Sequence, residues 1–296
     1  MPLSSYRQFE LALSFAADAT EQTMDRLLPR GEEGEARVFD AMRYSSLGGG
    51  KRLRAFFVLA SATLFKVGAM PALRTASAIE FLHAYSLIHD DLPAMDDDDL
   101  RRGKPTSHKR FGEDVAILAG DGLFAEAVRI FSEQPGPADR VLAALAELSA
   151  ATGVDGMVGG QYVDVTGDAA DADGLRSLHA LKTGRLIGAS VGVVLTLEGV
   201  PEPETMPYRR FANELGVLFQ IVDDILDVIG SDERLGKPHG SDERHGKLTY
   251  VSLFGLERAR ELAAESHAKA TEALAEASGA KDDLMQVADY IFTRDE

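Results

Sequence analysis

Two groups of carboxylates have the types and spacing to do chemistry. The first is Asp90-Asp91-Leu92-Pro93-Ala94-Met95-Asp96-Asp97-Asp98-Asp99, and the second is Asp223-Asp224-Ile225-Leu226-Asp227. Asp223 and Asp227 are four apart, so on a helix they share a face and aim at one point. In the first group Pro93 interrupts helical geometry, letting the chain bulge and return Asp96 toward Asp90. Asp97–Asp99 alone reads equally well as a solvated loop. That reading fails for Asp90, Asp91, Asp223, Asp224 and Asp227, which end or interrupt strongly apolar stretches. Buried carboxylates are too costly without cations. Hard oxygen donors in a chain with no cysteine favour Mg²⁺, which binds one or two carboxylates plus substrate phosphates. A calcium-binding EF-hand loop is excluded, because Leu100 stands where a ligand is required.

Asp plus Glu outnumber Lys plus Arg 48 to 31, a formal charge of -17, so clustered basic residues are informative. A nucleic acid or an anionic membrane is not an expected partner for the surface as a whole. Gly48-Gly49-Gly50-Lys51-Arg52-Leu53-Arg54 combines glycines for close backbone approach with a basic first helical turn. By itself it reads equally as an anion cradle or as an ordinary glycine turn. It is not a Walker A loop, since Ser45 replaces the first glycine and Arg52 follows the lysine. Arg101-Arg102 directly follows the first aspartate group, where guanidinium forks suit bidentate phosphate contacts. Lys182-Thr183 opens a glycine-faced stretch, and Gln220 precedes Asp224 by one turn.

These groups need helices to hold them. Ala72–Ile88 and Phe211–Ile229 are apolar almost all round, the signature of central helices surrounded by others. Val191–Thr196 is β-branched, but Gly184, Gly188 and Gly192 lie four apart and give a helix one smooth face for close packing. The remaining sequence has helical periodicity broken by short Gly/Pro punctuation, with no linker long enough to divide the chain. The expectation is an all-α, single-domain bundle over residues 1–296, with about ten or more helices around a central cavity. Without cysteine there is no disulfide, zinc-thiolate site or thiol nucleophile. The N-terminus lacks a basic stretch followed by an apolar run, and the most apolar window, Leu186–Leu197, is too short for a membrane span. A cytoplasmic protein is expected. Ser231–Lys237 (SDERLGK) and Ser241–Lys247 (SDERHGK) form a local repeat that places two Gly-Lys pairs in one loop.

Taken together the sequence resembles the trans-type polyprenyl diphosphate synthases. The resemblance rests on GGGKRLR at 48–54, HAYSLIHDDLPAMDDDDLRRGKPT at 83–106, GGQYVDV at 159–165, LKTG at 181–184, FQIVDDILD at 219–227 and GK at 236–237. The six-residue step from Asp90 to Asp96 matches the bacterial form of that family's first aspartate motif, closest to farnesyl diphosphate synthases. The resemblance implies a Mg²⁺ cluster, with Mn²⁺ as an alternative ion, held by Asp90, Asp91, Asp96, Asp223, Asp224 and Asp227. It implies that Arg101, Lys182, Lys237 and Lys247 grip an allylic diphosphate. Gly50, Lys51, Arg54, His83 and Arg102 would form a metal-free isopentenyl diphosphate site, and Thr183 and Gln220 would sit near the developing allylic cation. It further implies a homodimer. Against a class I terpene cyclase stand the second basic site and the intact DDILD, and against a non-catalytic partner subunit stands the full set of aspartates.

Tyr85 lies five residues before Asp90, about 7.5 Å along a helix. In the resembling family an aromatic there, with Ser86 beside it, limits the elongation pocket and stops growth near farnesyl. Read without the family, Tyr85 is a core aromatic with its hydroxyl bonded. Two positions depart from the family's common pattern, Ala55 for a proline and Val222 for a basic residue.

Overall fold

The computed structural model describes residues 3–31, 35–169, 171–229, 248–279 and 281–294, and helices dominate them throughout. The chain gathers into two compact units, Glu10–Leu145 and Met1–Phe9 with Ala146–Glu296. Each unit is built around one of the two apolar helices that end in, or carry, an aspartate group.

In the first unit, α1 (Leu3–Leu27) from Glu10 onward, α2 (Ala36–Ser46) and α3 (Leu53–Leu64) precede α4 (Ala69–Asp90). Buried residues lie on every side of α4, including Ala76, Ile79, Phe81, Leu82 and Ile88, so it forms the core as its all-round apolarity predicts. After α5 (Ser107–Phe111) come α6 (Glu113–Ser132) and α7 (Ala138–Thr152), and α4 packs chiefly against α3 and α6. Gly120 on α6 makes room for the His89 ring, which a β-carbon there would strike. The His89 Nε2 lies 3.1 Å from the Ile117 carbonyl oxygen.

One buried ion pair sits inside this unit. Arg52 Nη1 is 3.2 Å from Glu80 Oε2, with both side chains only 2% exposed, and Glu80 also accepts the Ala55 N–H at 3.1 Å. Removing one member of such a pair leaves the other charge buried and uncompensated, which costs about 3–5 kcal/mol. Glu80→Ala is therefore expected to lower unfolding stability by about that amount, read from the urea midpoint. A loss under about 1 kcal/mol would mean Glu21, 3.6 Å from Arg52, takes over the charge.

The second unit contains α8 (Met157–Thr166), α9 (Ala172–His179), α10 (Arg185–Glu198) and α11 (Glu202–Ile229). Three more helices follow, α12 (Tyr250–Phe254), α13 (Leu256–Ala275) and α14 (Asp282–Thr293). Here α11 is the core helix, packed chiefly against α10 and α13. Val191–Thr196 is helical within α10, as its glycine spacing predicts. A β-carbon on Gly216 of α11 would stand 2.6 Å from the Gly184 Cα, so the two backbones pack in direct contact.

Two local features escape periodicity. Leu100–Arg101 and Lys104–Pro105 pair as a minimal antiparallel hairpin. Its two central residues, Arg102 and Gly103, have φ of 54° and 71°, the primed-turn geometry that usually selects Asn-Gly or Asp-Gly. Ala180–Gly184 forms a π-helical turn between α9 and α10, a rare bulge often found at functional sites. Longer apolar stretches exist than Leu186–Leu197: Ala138–Thr166 and Ala172–Glu198 are long and apolar enough to cross a membrane, by length and composition only. The second is 56% buried inside the fold, which accounts for its apolarity as core.

Candidate active site

In the first unit the aspartate group forms where α4 ends. The Asp96 N–H donates to the Asp90 carbonyl at 2.9 Å, and the Asp97 N–H to the Leu92 carbonyl at 3.1 Å. The chain thus bulges around Pro93 and returns Asp96 to the level of Asp90. Asp91 has a different environment. It is 3% exposed, and Arg101 forks onto it, with Nε 2.8 Å from Oδ1 and 3.0 Å from Oδ2, and Nη2 2.5 Å from Oδ1. Burial holds the Asp91 carboxyl above the usual carboxylate range, and Arg101 offsets part of that rise. Asp99, fully in solvent, pairs with Lys109 at 2.7 Å, as a solvated loop residue would.

The hairpin turns Arg102 away from Arg101 and onto the glycine loop. Arg102 Nη1 donates to the Gly49 carbonyl, and a β-carbon on Gly50 would lie 2.8 Å from the Arg102 Cζ. Gly49 and Gly50, with φ of 82° and 117°, adopt conformations that side chains disfavour. His83 lies within the field of this cluster. Burial lowers its pKa well below the ordinary value, and Arg54, Arg102, Arg101 and Arg52 lower it further. Arg52 and Arg101 are paired with Glu80 and Asp91, whereas Arg102 is held by a backbone carbonyl and keeps positive charge at the glycine loop, where an anion is favoured over a cation. Lys51 stands exposed at the mouth of the glycine loop.

In the second unit the π turn presents Lys182 and Thr183. Lys182 Nζ is 2.6 Å from Asp164 Oδ2 of α8. The Thr183 hydroxyl donates to Gln220 Oε1 at 3.1 Å, and Gln220 Nε2 donates to Asp224 Oδ1 at 2.9 Å. The Tyr250 N–H donates to Asp224 Oδ2 at 2.8 Å, so both oxygens of this buried carboxylate accept protein hydrogen bonds. His179, its pKa lowered to about 4 mainly by burial, stacks on the Tyr250 ring at 5.6 Å. Asp223 is exposed on the outer face of α11, where Arg294 Nη2 reaches it at 3.1 Å. Asp227 is 5% exposed. Asp164 and Arg294 were not singled out from the sequence; Asp164 sits in the GGQYVDV motif, whereas nothing in the primary sequence distinguishes Arg294. Lys237 and Lys247 lie outside the described residues, as does the SDER repeat.

Among the described residues no three acidic or histidine side chains converge as a preformed metal cluster. The first aspartate of each pair is more exposed than the second, whose oxygens are already engaged. Toward the interior of α4, Tyr85 is 8% exposed, and burial and then the Asp90 charge push its hydroxyl up to about 12. The Ser86 hydroxyl donates to the His83 carbonyl at 2.9 Å, within its own helix.

Carboxylates at the ends of buried helices beside separate basic clusters define a class of enzyme that handles diphosphates, and comparison with known proteins names that class. The family model for polyprenyl synthetases matches residues 35–291, and the chain belongs to this family. It is 42% identical to the farnesyl diphosphate synthase of Escherichia coli K12 over 295 residues, covering 97% of this chain and 99% of that one. It is 46% identical over 264 residues to a chloroplastic geranylgeranyl pyrophosphate synthase of Capsicum annuum, covering 87% of this chain and 72% of that one. The apo structure of an FPP/GFPP synthase from Zymomonas mobilis matches with a TM-score of 0.88 at 36% identity, covering 97% and 100% of the two chains. The fold is the all-α isoprenoid synthase fold, and the chain is a prenyltransferase.

Proposed function

We propose that this chain condenses dimethylallyl or geranyl diphosphate with isopentenyl diphosphate, head to tail, to give mainly farnesyl diphosphate. The observation that supports the condensation is the glycine loop with its own basic groups, where Arg102 donates to the Gly49 carbonyl, Lys51 is exposed and His83 lies in the field of Arg54 and Arg102. Isopentenyl diphosphate is held there by Lys51, Arg54 and Arg102. Lys182 and Arg101 stabilise the negative charge that grows on the departing allylic diphosphate. Apolar walls keep water from the allylic cation, and the Gln220–Thr183 pair supplies oxygens beside it. The double bond of the positioned isopentenyl group attacks, and a proton leaves it for the departing diphosphate.

Asp90 and Asp96, brought to one level by the bulge, fit Mg²⁺, which takes one or two carboxylates plus phosphate oxygens. Magnesium held by Asp90 and Asp96, with Asp223 and Asp227 as a further candidate pair on α11, would supply Lewis-acid stabilisation of the leaving group. Asp91 and Asp224 act instead as positioning residues, fixing Arg101 and Gln220. We also propose a homodimer, supported by the exposed apolar residues Ile117 and Leu118 on α6; sedimentation at micromolar concentration should give twice the chain mass.

The test is purified protein with Mg²⁺, isopentenyl diphosphate and an allylic primer, with products separated by length. Failure to consume isopentenyl diphosphate would overturn the condensation. A mainly twenty-carbon product would overturn the farnesyl assignment, which rests on Tyr85. Tyr85→Ala is expected to lengthen the product by at least one five-carbon unit, read in the same assay.

A further inference from the structure

The second unit holds a cavity of about 150 Å³ between α9, α11, α12 and α13. That volume admits one aromatic ring, since an apolar cavity of about this size binds benzene. Its walls are apolar, formed by Val217 and Ile221 of α11, Leu262 of α13 and the ring of Phe254. The rim carries both signs of charge, Arg176 and Lys269 against Asp173, Glu214 and Glu265, so it selects no net charge on an occupant. Two of these carboxylates already have cations: Arg176 Nη2 is 3.7 Å from Glu214 Oε1, and Arg258 Nη1 is 2.9 Å from Glu265 Oε1.

Tyr250 is the polar group inside. It lines the cavity, is 5% exposed, and its hydroxyl meets no hydrogen-bond partner among the described residues. A buried hydroxyl left unpaired is costly, so it marks a place where a ligand group is missing. Burial pushes its pKa up to about 12, against the opposing Arg176 charge, so it stays a neutral donor. The ring cannot easily turn away. His179 and Phe254 stack on it, 5.6 and 6.2 Å between centroids, and a Thr249–Ser252 capping box fixes the start of α12.

We propose that this cavity is a binding site for a small uncharged molecule with one aromatic ring and one hydroxyl or carbonyl group. The ring lies against the apolar walls, and the polar group bonds to the Tyr250 hydroxyl. Because the Tyr250 N–H donates to Asp224, the occupant sits one residue from the contact that fixes that carboxylate. Binding here needs no turnover, so it is judged separately from the condensation.

Methyl NMR resonances of Val217, Ile221 and Leu262 in the isotope-labelled full chain report occupancy directly. Titration with phenol is expected to shift all three saturably, with a Kd of about 1 mM or lower. Tyr250→Phe should weaken phenol about fivefold and leave toluene, which has the ring without the hydroxyl, within about twofold. In Val217→Trp, whose indole fills the cavity, phenol should move neither remaining methyl group. Leu262→Phe fills the same space from α13 and keeps the test decisive if the Val217 variant fails to fold. The absence of a saturable shift in the wild-type chain would overturn the proposal, as would phenol binding that survives in a folded filling variant. Equal weakening of phenol and toluene by Tyr250→Phe would overturn the role given to the hydroxyl.

Discussion

Asp90→Asn is expected to lower kcat about 10³-fold, some 4 kcal/mol of barrier, while leaving the KM for isopentenyl diphosphate within about twofold. Asp90 is the last residue of α4 and stands at the level of Asp96. Asp91, by contrast, is buried and accepts the Arg101 fork. A carboxylate at a helix C-terminus opposes the helix dipole, so its neutralisation should stabilise α4 by a few tenths of a kcal/mol. Loss of turnover combined with an unchanged or higher urea midpoint is the signature of a residue kept for chemistry. Asp91→Asn should differ, since it strips the counter-charge from Arg101 and lowers the midpoint as well. Steady-state rates at saturating substrates across a Mg²⁺ titration, with urea melts of both variants, separate the two. Equal kinetic and stability losses for Asp90 and Asp91 would refute the division of roles.

Lys182→Met carries the second large effect, a fall of about 10²-fold in kcat/KM for the allylic diphosphate. Its ammonium sits on the π turn, where an extra residue in the turn swings the side chain away from the regular helical direction. Asp164, at 2.6 Å, holds it there. The basic cluster around His83 comes from residues 52–102, so the KM for isopentenyl diphosphate should stay within about twofold. Asp164→Asn keeps the ammonium but frees its direction, and should cost less than Lys182→Met. Because the two side chains act as a pair, the double variant should lose little more than Lys182→Met alone. Fully additive losses would mean that Asp164 acts on the substrate independently of Lys182.

Much of this molecule is legible in its primary structure. The all-round apolarity of Ala72–Ile88 and Phe211–Ile229 fixes them as core helices, because no other environment buries so many apolar side chains. The spacing of Asp90, Pro93 and Asp96 forces a bulge, since proline cannot continue α4. The glycines at 184, 188 and 192 lie on one face because helical periodicity puts them there, whatever packs against it. Family resemblance adds the roles that spacing leaves open.

Other features depend on which groups meet across elements, and one chain position at a time cannot reveal them. Equal-looking aspartates sit in different environments because Arg101 reaches Asp91, Gln220 and the Tyr250 backbone reach Asp224, and Arg294 reaches Asp223. The Arg102 turn has positive φ without the usual Asn or Asp, so turn chemistry gives no warning of the hairpin that aims both arginines. The π turn costs one residue of register, too little to disturb a hydrophobic period, yet it orients Lys182. Residue types and spacing determined that this protein holds aspartates at the ends of buried helices, in company with basic clusters. Tertiary packing decided which of those charges pair with one another, because pairing depends on distances of a few ångströms between residues far apart in the chain.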